Sequence, residues 1–385
     1  MNDSKRLPLL FIAARLMLFV ALPLEGLRSF GDYWLYYPAA QLGRPFVDLW
    51  YEYPPLLPFF ARGLYLLAGG RQHAFEYLFA ISMTLFQAGS IGLFLRLAGR
   101  MHDDESSQRR GWLYFALLVG LYYGWGHFDA MVVFALLLGL DLLFDGCDLS
   151  AGLALAAGVL LKWFPALGLV IAWKLRPPKR AALISLLTIG ITLGVYLVLY
   201  MRSPEMMSAS LRAQFQRDSW QTVWALIDGN LNTGNLGAGI DHTDPATVAL
   251  AVEHPPRVSS WITLIPFAAL GGWLFLRQRA VDARSLLAFF GVGLSIFFLW
   301  SPGWSPQWVL YLVPLILLLL PERKALLMAL VWIFVNLLEW PVLLSRGYFD
   351  AIWLLAPVRF LLLILLTVEF WRIAQSRGSG QPLLK

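Results

Sequence analysis

The chain reads as an all-α, polytopic membrane protein with about 10–13 transmembrane helices. Hydrophobic residues make up 59% of its 385 residues and charged residues 14%, and the mean hydropathy is +0.64. The apolar residues come in long runs, not in the one-faced stripes of soluble helices. Lys and Arg gather in short clusters that alternate along the chain with loops lacking them. No polar segment is long enough to fold separately, so residues 1–385 are expected to form one integral domain.

In chain order, spans are expected near 7–27, 73–99, 110–125, 128–145, 150–161, 165–176, 181–201, 258–276, 284–300, 308–320, 325–341 and 352–372. The first run lacks a small-residue cleavage site and is expected to stay as a retained span. The first outer loop, 28–70, is broken by Pro38, Pro45, Pro54 and Pro55, since proline removes a donor and clashes with the preceding turn. Within it, 54–70 reads as an interfacial amphipathic helix with Arg62 on its polar side. The runs 153–161 and 164–173 are too short to cross and flank Lys162 and Pro165. They read as re-entrant half-helices whose broken ends the protein buries. The outer loop 202–259 carries the Gly- and Asn-rich DGNLNTGNLGAGIDHTD, which reads as irregular and mobile, a lid or binding element.

The basic clusters are Lys5-Arg6; Arg100 with Arg109-Arg110; Lys174, Arg176, Lys179 and Arg180; Arg277, Arg279 and Arg284; Arg323-Lys324; and Arg372 with Arg377. The positive-inside rule puts all six in the cytoplasm. Segments 31–55, 123–129, 202–259, 301–307 and 341–350 then share the non-cytoplasmic face, where the polar and aromatic residues collect. The net charge of +6 is therefore a topology signal, not a nucleic-acid footprint. The lone Cys147 excludes an internal disulfide. No phosphate-binding glycine loop, HExxH or Cys/His metal spacing occurs, and no cofactor or divalent metal is expected.

The stretch 31–55, GDYWLYYPAAQLGRPFVDLWYEYPP, holds the carboxylates Asp32, Asp48 and Glu52 among Tyr and Trp rings. Asp32 reads either as a general base or as the N-cap of a helix starting at Tyr33. Asp48 and Glu52 lie four apart, a spacing that on a helix shares one face and could bind a metal or a hydroxyl; a solvated turn is the plainer alternative. Lys162 is an ionisable group inside an apolar stretch, a functional-site signal by default, unless it snorkels. Arg212 and Arg217 suit a phosphate fork, or they are loop charges meeting lipid headgroups. His127 and Asp129 sit in the turn GWGHFDAM as an acid/base pair, or Asp129 caps the next helix.

These motifs resemble the GT-C glycosyltransferases, closest to glycosyltransferase family 87, which includes the polyprenol-phosphate-mannose-dependent mannosyltransferases. The resemblance rests on DYWLYYPAA, GRPFVD and YEYPP between Asp32 and Pro55. It rests also on AGLALAAGVLLKWFP from Ala151 to Pro165, and on SPQW with Gln307, followed by a span containing Pro314. It implies a GT-C fold and an inverting transferase that takes a sugar, mannose first among them, from a polyprenyl-phosphate donor. The acceptor would be a lipid or glycan, and transfer would occur on the non-cytoplasmic face of the plasma or inner membrane. It maps the base onto Asp32, the glutamate before the paired prolines onto Glu52, and the lysine of Lys-x-x-Pro onto Lys162. Arg212 or Arg217 would face the donor phosphate, and Trp34, Tyr36 and Trp304 would offer ring faces to the sugar. The competing class is a transporter or flippase for a lipid-linked sugar. That would need a polar path through the membrane, whereas most spans here are plain Leu, Ala, Val and Phe at their middle.

Overall fold

A computed structural model describes residues 3–237, 239–279 and 282–376. Arg377, counted above with the tail cluster, lies outside them. Among the described residues the protein is all-α, with no strand beyond two isolated bridges. Six helices are long and apolar enough to cross a membrane: Gln72–Gly99, Pro178–Arg202, Ser260–Arg277, Ala283–Trp300, Glu322–Arg346 and Phe349–Gln375. Shorter apolar helices fill the space between them, so this is a multi-pass membrane protein.

Some helices start where the sequence supplies a side-chain cap. Asp103 accepts from the Ser106 backbone N–H at 2.7 Å and opens Asp104–Val119. Asp282 does the same for Ala283–Trp300 through Ser285, at 3.0 Å. A side-chain oxygen on an otherwise unpaired N–H is the usual reason such residues start helices. At the centre, every residue of Val309–Leu319 is buried, wrapped by the helices around it. Ser260–Arg277 is the opposite case. It buries only Leu274 and turns Trp261, Ile262, Ile265 and Leu276 outward, a face suited to lipid.

The basic residues gather at one end of the bundle. Arg96 and Arg100 pair with Asp141 and Asp145 at the end of Asp129–Phe144. Arg110 and Arg284 donate to carbonyls of residues 317–320, and Lys324 pairs with Glu369 at 2.7 Å. The same helices carry Asp129, Trp300 and Trp308 at their other ends. The alternation read from sequence therefore sorts charged ends from aromatic ends in space.

The pair flanking Lys162 shows why one turn sits deep. Asp148–Val159 rises from the basic end, where Asp148 meets Arg176 at 2.6 Å, and Phe164–Leu175 returns to it. Twelve helical residues climb about 18 Å, against roughly 30 Å of hydrocarbon, so the turn stops short of the far surface. Its broken end is satisfied inside the protein: the Leu160 carbonyl accepts from the Leu56 N–H at 2.9 Å.

Leu56–Leu67 lies across this region, burying Leu57, Pro58, Ala61 and Leu64 on one stripe while Arg62 donates to the Ala40 carbonyl at 2.6 Å. The large loop is less irregular than its Gly and Asn content implies. It contains helices Pro204–Phe215, Val223–Asp228 and Pro245–Ala251. It is also stitched down at Trp50, whose indole Nε1 donates to the Asp241 and Asp244 carbonyls at 3.1 Å each. A second stitch joins Trp220 to residues 302–304 through backbone hydrogen bonds of 3.1 and 3.0 Å. Local composition signalled turns; contacts nearly 200 residues away fixed them.

Candidate active site

At the aromatic end, four of the five predicted outer segments and the Lys162 turn converge on one cavity of about 530 Å³; segment 341–350 supplies none of its lining, although Trp340 just before it does. Its polar groups come from separate elements, so the fold, not local sequence, assembles them.

Asp32 is delivered by a close backbone approach. The Asp32 N–H donates to the Gly126 carbonyl at 3.0 Å. A Cβ on Gly31 would sit 2.8 Å from the Gly126 Cα, so only glycine permits that docking. The contact sets Asp32 Oδ1 3.7 Å from His127 Nε2, while Tyr36 donates its hydroxyl to Asp32 Oδ2 at 3.0 Å. The carboxylate makes no cap bond to the helix Tyr33–Leu42 although it precedes it. Its bonds run to side chains that aim it at the cavity. His127 is 3% exposed, and its Nδ1 has no partner among the described residues.

Glu52 reaches the same cavity from the YEYPP turn, and its Oε2 is buried without a hydrogen-bond partner among the described residues. A buried carboxylate oxygen left unpaired is costly unless a ligand completes it. Arg217 approaches from the large loop. It donates to the Gly234 carbonyl and lies 4.3 Å over the Trp220 ring. Burial lowers its pKa, and Glu52 leads the charges that oppose that shift.

Lys162 enters from the deep turn. Its Nζ donates to Asp129 Oδ1 at 2.5 Å, and the Tyr311 hydroxyl donates to the same oxygen at 2.7 Å. The Phe128 and Trp308 rings stand 4.7 and 5.4 Å from the ammonium. Asp129 is fully buried and makes no cap bond; it holds the lysine instead. Two of the three ammonium donors remain for the cavity.

Asp32, Glu52, His127, Lys162, Arg217, Gln307 and Trp34 line the cavity. Five other residues do not. Asp129 is fully buried behind Lys162, which it holds. Asp48 lies in an exposed turn, not on a helix with Glu52, and Arg44 takes both of its oxygens at 2.9 and 3.0 Å. Arg212 points outward from Pro204–Phe215. Tyr36 sits behind Asp32, with its ring in the core. Trp304 is 1% exposed and lies beneath the site, donating to Asn336 Oδ1 at 2.9 Å.

One buried assembly was not legible in the sequence. Arg359 pairs with Glu339 and donates to the Gln221 carbonyl, and the Gln221 side chain donates to Glu339 at 2.7 Å. Gln221, whose φ is +54°, lines the cavity, so this pair anchors part of its wall. The available signal was two ionisable residues inside apolar runs, which here mark each other across 20 positions.

The cavity can bind an anion beside two cations, remove a proton at either carboxylate, and stack a ring between indoles. One side of its lining, at Ser260, Trp261 and Thr263, belongs to the lipid-facing helix Ser260–Arg277.

No family model matches the chain, and no curated protein matches it. Two solved structures are similar to it. One is the crystal structure of the Archaeoglobus fulgidus oligosaccharyltransferase in the apo form, at 11% identity. The other is the archaeal oligosaccharyltransferase AglB from Archaeoglobus fulgidus in complex with an inhibitory peptide and a dolichol-phosphate, at 12%. Each has a TM-score of 0.46, and they cover 98% and 99% of this chain but 56% of their own. The chain thus spans little more than half the length of the structures it is similar to.

Proposed function

We propose that this protein is a membrane glycosyltransferase of the GT-C type. It would transfer a sugar, mannose first among the candidates, from a polyprenyl-phosphate donor to a lipid or glycan acceptor on the non-cytoplasmic face. The observation that carries the proposal is the meeting of Asp32 and Glu52 with Lys162 and Arg217 in one cavity walled partly by a lipid-facing helix. The first-loop motifs support the donor class. Placing the basic end of the bundle in the cytoplasm gives the orientation.

In this reading Asp32 takes the acceptor hydroxyl proton as the oxygen forms its bond to the anomeric carbon. The bond from that carbon to the phosphate oxygen breaks in line, and the configuration inverts. The lipid phosphate departs with the bonding pair and one more negative charge. Lys162 and Arg217 stabilise that charge best where it develops, in a site poor in water. Glu52 orients a sugar hydroxyl, Trp34 and Gln307 line the sugar's side, and the polyprenyl tail leaves past Trp261 into lipid. His127, 3.7 Å from Asp32, steadies the carboxylate. No step calls for a metal.

Transport of a lipid-linked sugar is the competing reading. Beneath the cavity the chain closes with Phe164, Trp308 and Tyr311, whose rings pack at 4.8 and 5.1 Å, and among the described residues the cavity lining does not extend past Phe164 and Trp308 on that side. That favours chemistry at one face. The test is transfer by purified protein in detergent, with a panel of labelled polyprenyl-phosphate sugars and a membrane-lipid extract as acceptor. Transfer from one donor is expected. Donor binding without transfer across the whole panel would put transport ahead.

A further inference from the structure

A second cavity, of about 250 Å³, lies in the large loop beside the first and shares Arg217, Trp220 and residues 233–235 with it. We infer that it is a saccharide subsite holding one sugar ring of a glycan acceptor. The word acceptor rests on the transferase reading; the saccharide chemistry does not.

The cavity is built, not left over. Asp218 Oδ2 accepts from the backbone N–H groups of Glu253 and His254 at 2.9 Å each, which locks the side chain in place. Its other oxygen, Oδ1, is buried with no partner among the described residues. Asn230 frames the floor, donating to the Ser219 carbonyl at 2.7 Å and accepting from the Asn232 N–H at 2.8 Å. Gly234 lies so close to Trp220 that a Cβ there would sit 2.4 Å from the indole Nε1, which keeps the boundary between the two cavities one ring thick.

The chemistry selects the ligand. Asp218 Oδ1 and the Glu253 carboxylate are acceptors that want hydroxyl donors, and both would repel a phosphate. Phe349, 39% exposed, offers the lining an apolar ring face. Carboxylates with an aromatic face suit the hydroxyls and the C–H face of a pyranose ring. The volume is below the roughly 300–1,000 Å³ of drug-sized sites, the scale of a single ring. The cavity shares no residue with the lipid-facing helix, so a lipid tail is not its occupant.

The test titrates purified full-length protein in detergent with methyl glycosides and disaccharides of glucose, galactose and mannose, read by Trp fluorescence and saturation-transfer NMR. At least one disaccharide should bind saturably. Asp218→Asn keeps an acceptor for the two loop N–H groups but replaces the free oxygen with a donor. It should weaken binding about tenfold, and Glu253→Gln, an exposed position safe for folding, about fivefold. No saturable binding by any glycoside, or binding indifferent to both substitutions, overturns the inference. Sugar transfer with an acceptor KM unmoved by Asp218→Asn and Glu253→Gln would overturn this subsite alone. Glycoside binding here without any transfer would overturn the transferase reading alone.

Discussion

Replacing Lys162 with Met separates what the ion pair with Asp129 does for the fold from what it does for chemistry. Asp129 is fully buried, and among the described residues its carboxylate accepts hydrogen bonds from Lys162 at 2.5 Å and Tyr311 at 2.7 Å. Met fills the space of the lysine stem but leaves the carboxylate with one donor and no counter-charge. Removing one partner of a buried pair costs about 3–5 kcal/mol. Here Tyr311 keeps its bond, which holds the cost near 3 kcal/mol. Lys162→Met/Asp129→Asn removes both charges and should recover most of that loss. Transfer should stay at least a hundredfold down in both variants, because both lose the Lys162 ammonium at the leaving phosphate and keep only Arg217. Unfolding followed by Trp fluorescence in detergent, paired with a transfer assay, reads both quantities. A Lys162→Met protein as stable as wild type would refute the ion-pair argument. Transfer restored in the double variant would refute the catalytic one.

Three further outcomes follow from the geometry. Glu339→Gln strands the Arg359 guanidinium in the interior and should cost about 3–5 kcal/mol in the same unfolding assay, loosening Gln221 and raising the donor KM. Gly31→Ala places a methyl 2.8 Å from the Gly126 Cα. It should lower kcat by tenfold or more by moving Asp32, with donor affinity little changed in a lipid-donor binding assay. Asp48 is held down at about 2 by the Arg44 side chain first and the Arg44 backbone N–H second. Its folded value lies below the unfolded value of about 3.9, so its contribution is present above pH 4 and fades only as pH falls towards 2. Asp48→Asn should therefore leave stability below pH 2 and transfer at neutral pH both unchanged; a loss of transfer would return Asp48 to the site.

The fold was legible because a membrane span is a one-dimensional signal. Long apolar runs and alternating basic clusters need no knowledge of distant contacts, and most helix bounds fell within a few residues of those read from sequence; the exceptions are Asp104–Val119, expected at 110–125, and Asp3–Ala21, expected to run on to 27. The Lys162 turn was legible for a similar reason, since two runs of about a dozen residues are too short to cross. Asp32 and Lys162 stood out as charges set against apolar sequence. Trp304 and Tyr36 looked like sugar platforms because an aromatic ring reads the same in a wall as in a core. Burial against Asn336 and behind Asp32 decided otherwise. Asp48 looked like a partner of Glu52 on helical spacing, but the Pro45 turn leaves that stretch non-helical and Arg44 claims its oxygens. The Glu339–Arg359 pair and the Asp218 cavity depend on contacts between distant segments, which spacing does not encode.

The most direct test compares Asp32→Asn with Glu52→Gln in the transfer assay, with donor binding measured on the same samples. Both substitutions keep shape and remove a charge. The account predicts that Asp32→Asn binds donor within about twofold of wild type but turns over at least a thousandfold more slowly, consistent with losing a general base. Glu52→Gln should mainly raise KM. Asp32→Asn turning over like wild type, with Glu52→Gln inactive, would move the base to Glu52 and contradict the account at its centre.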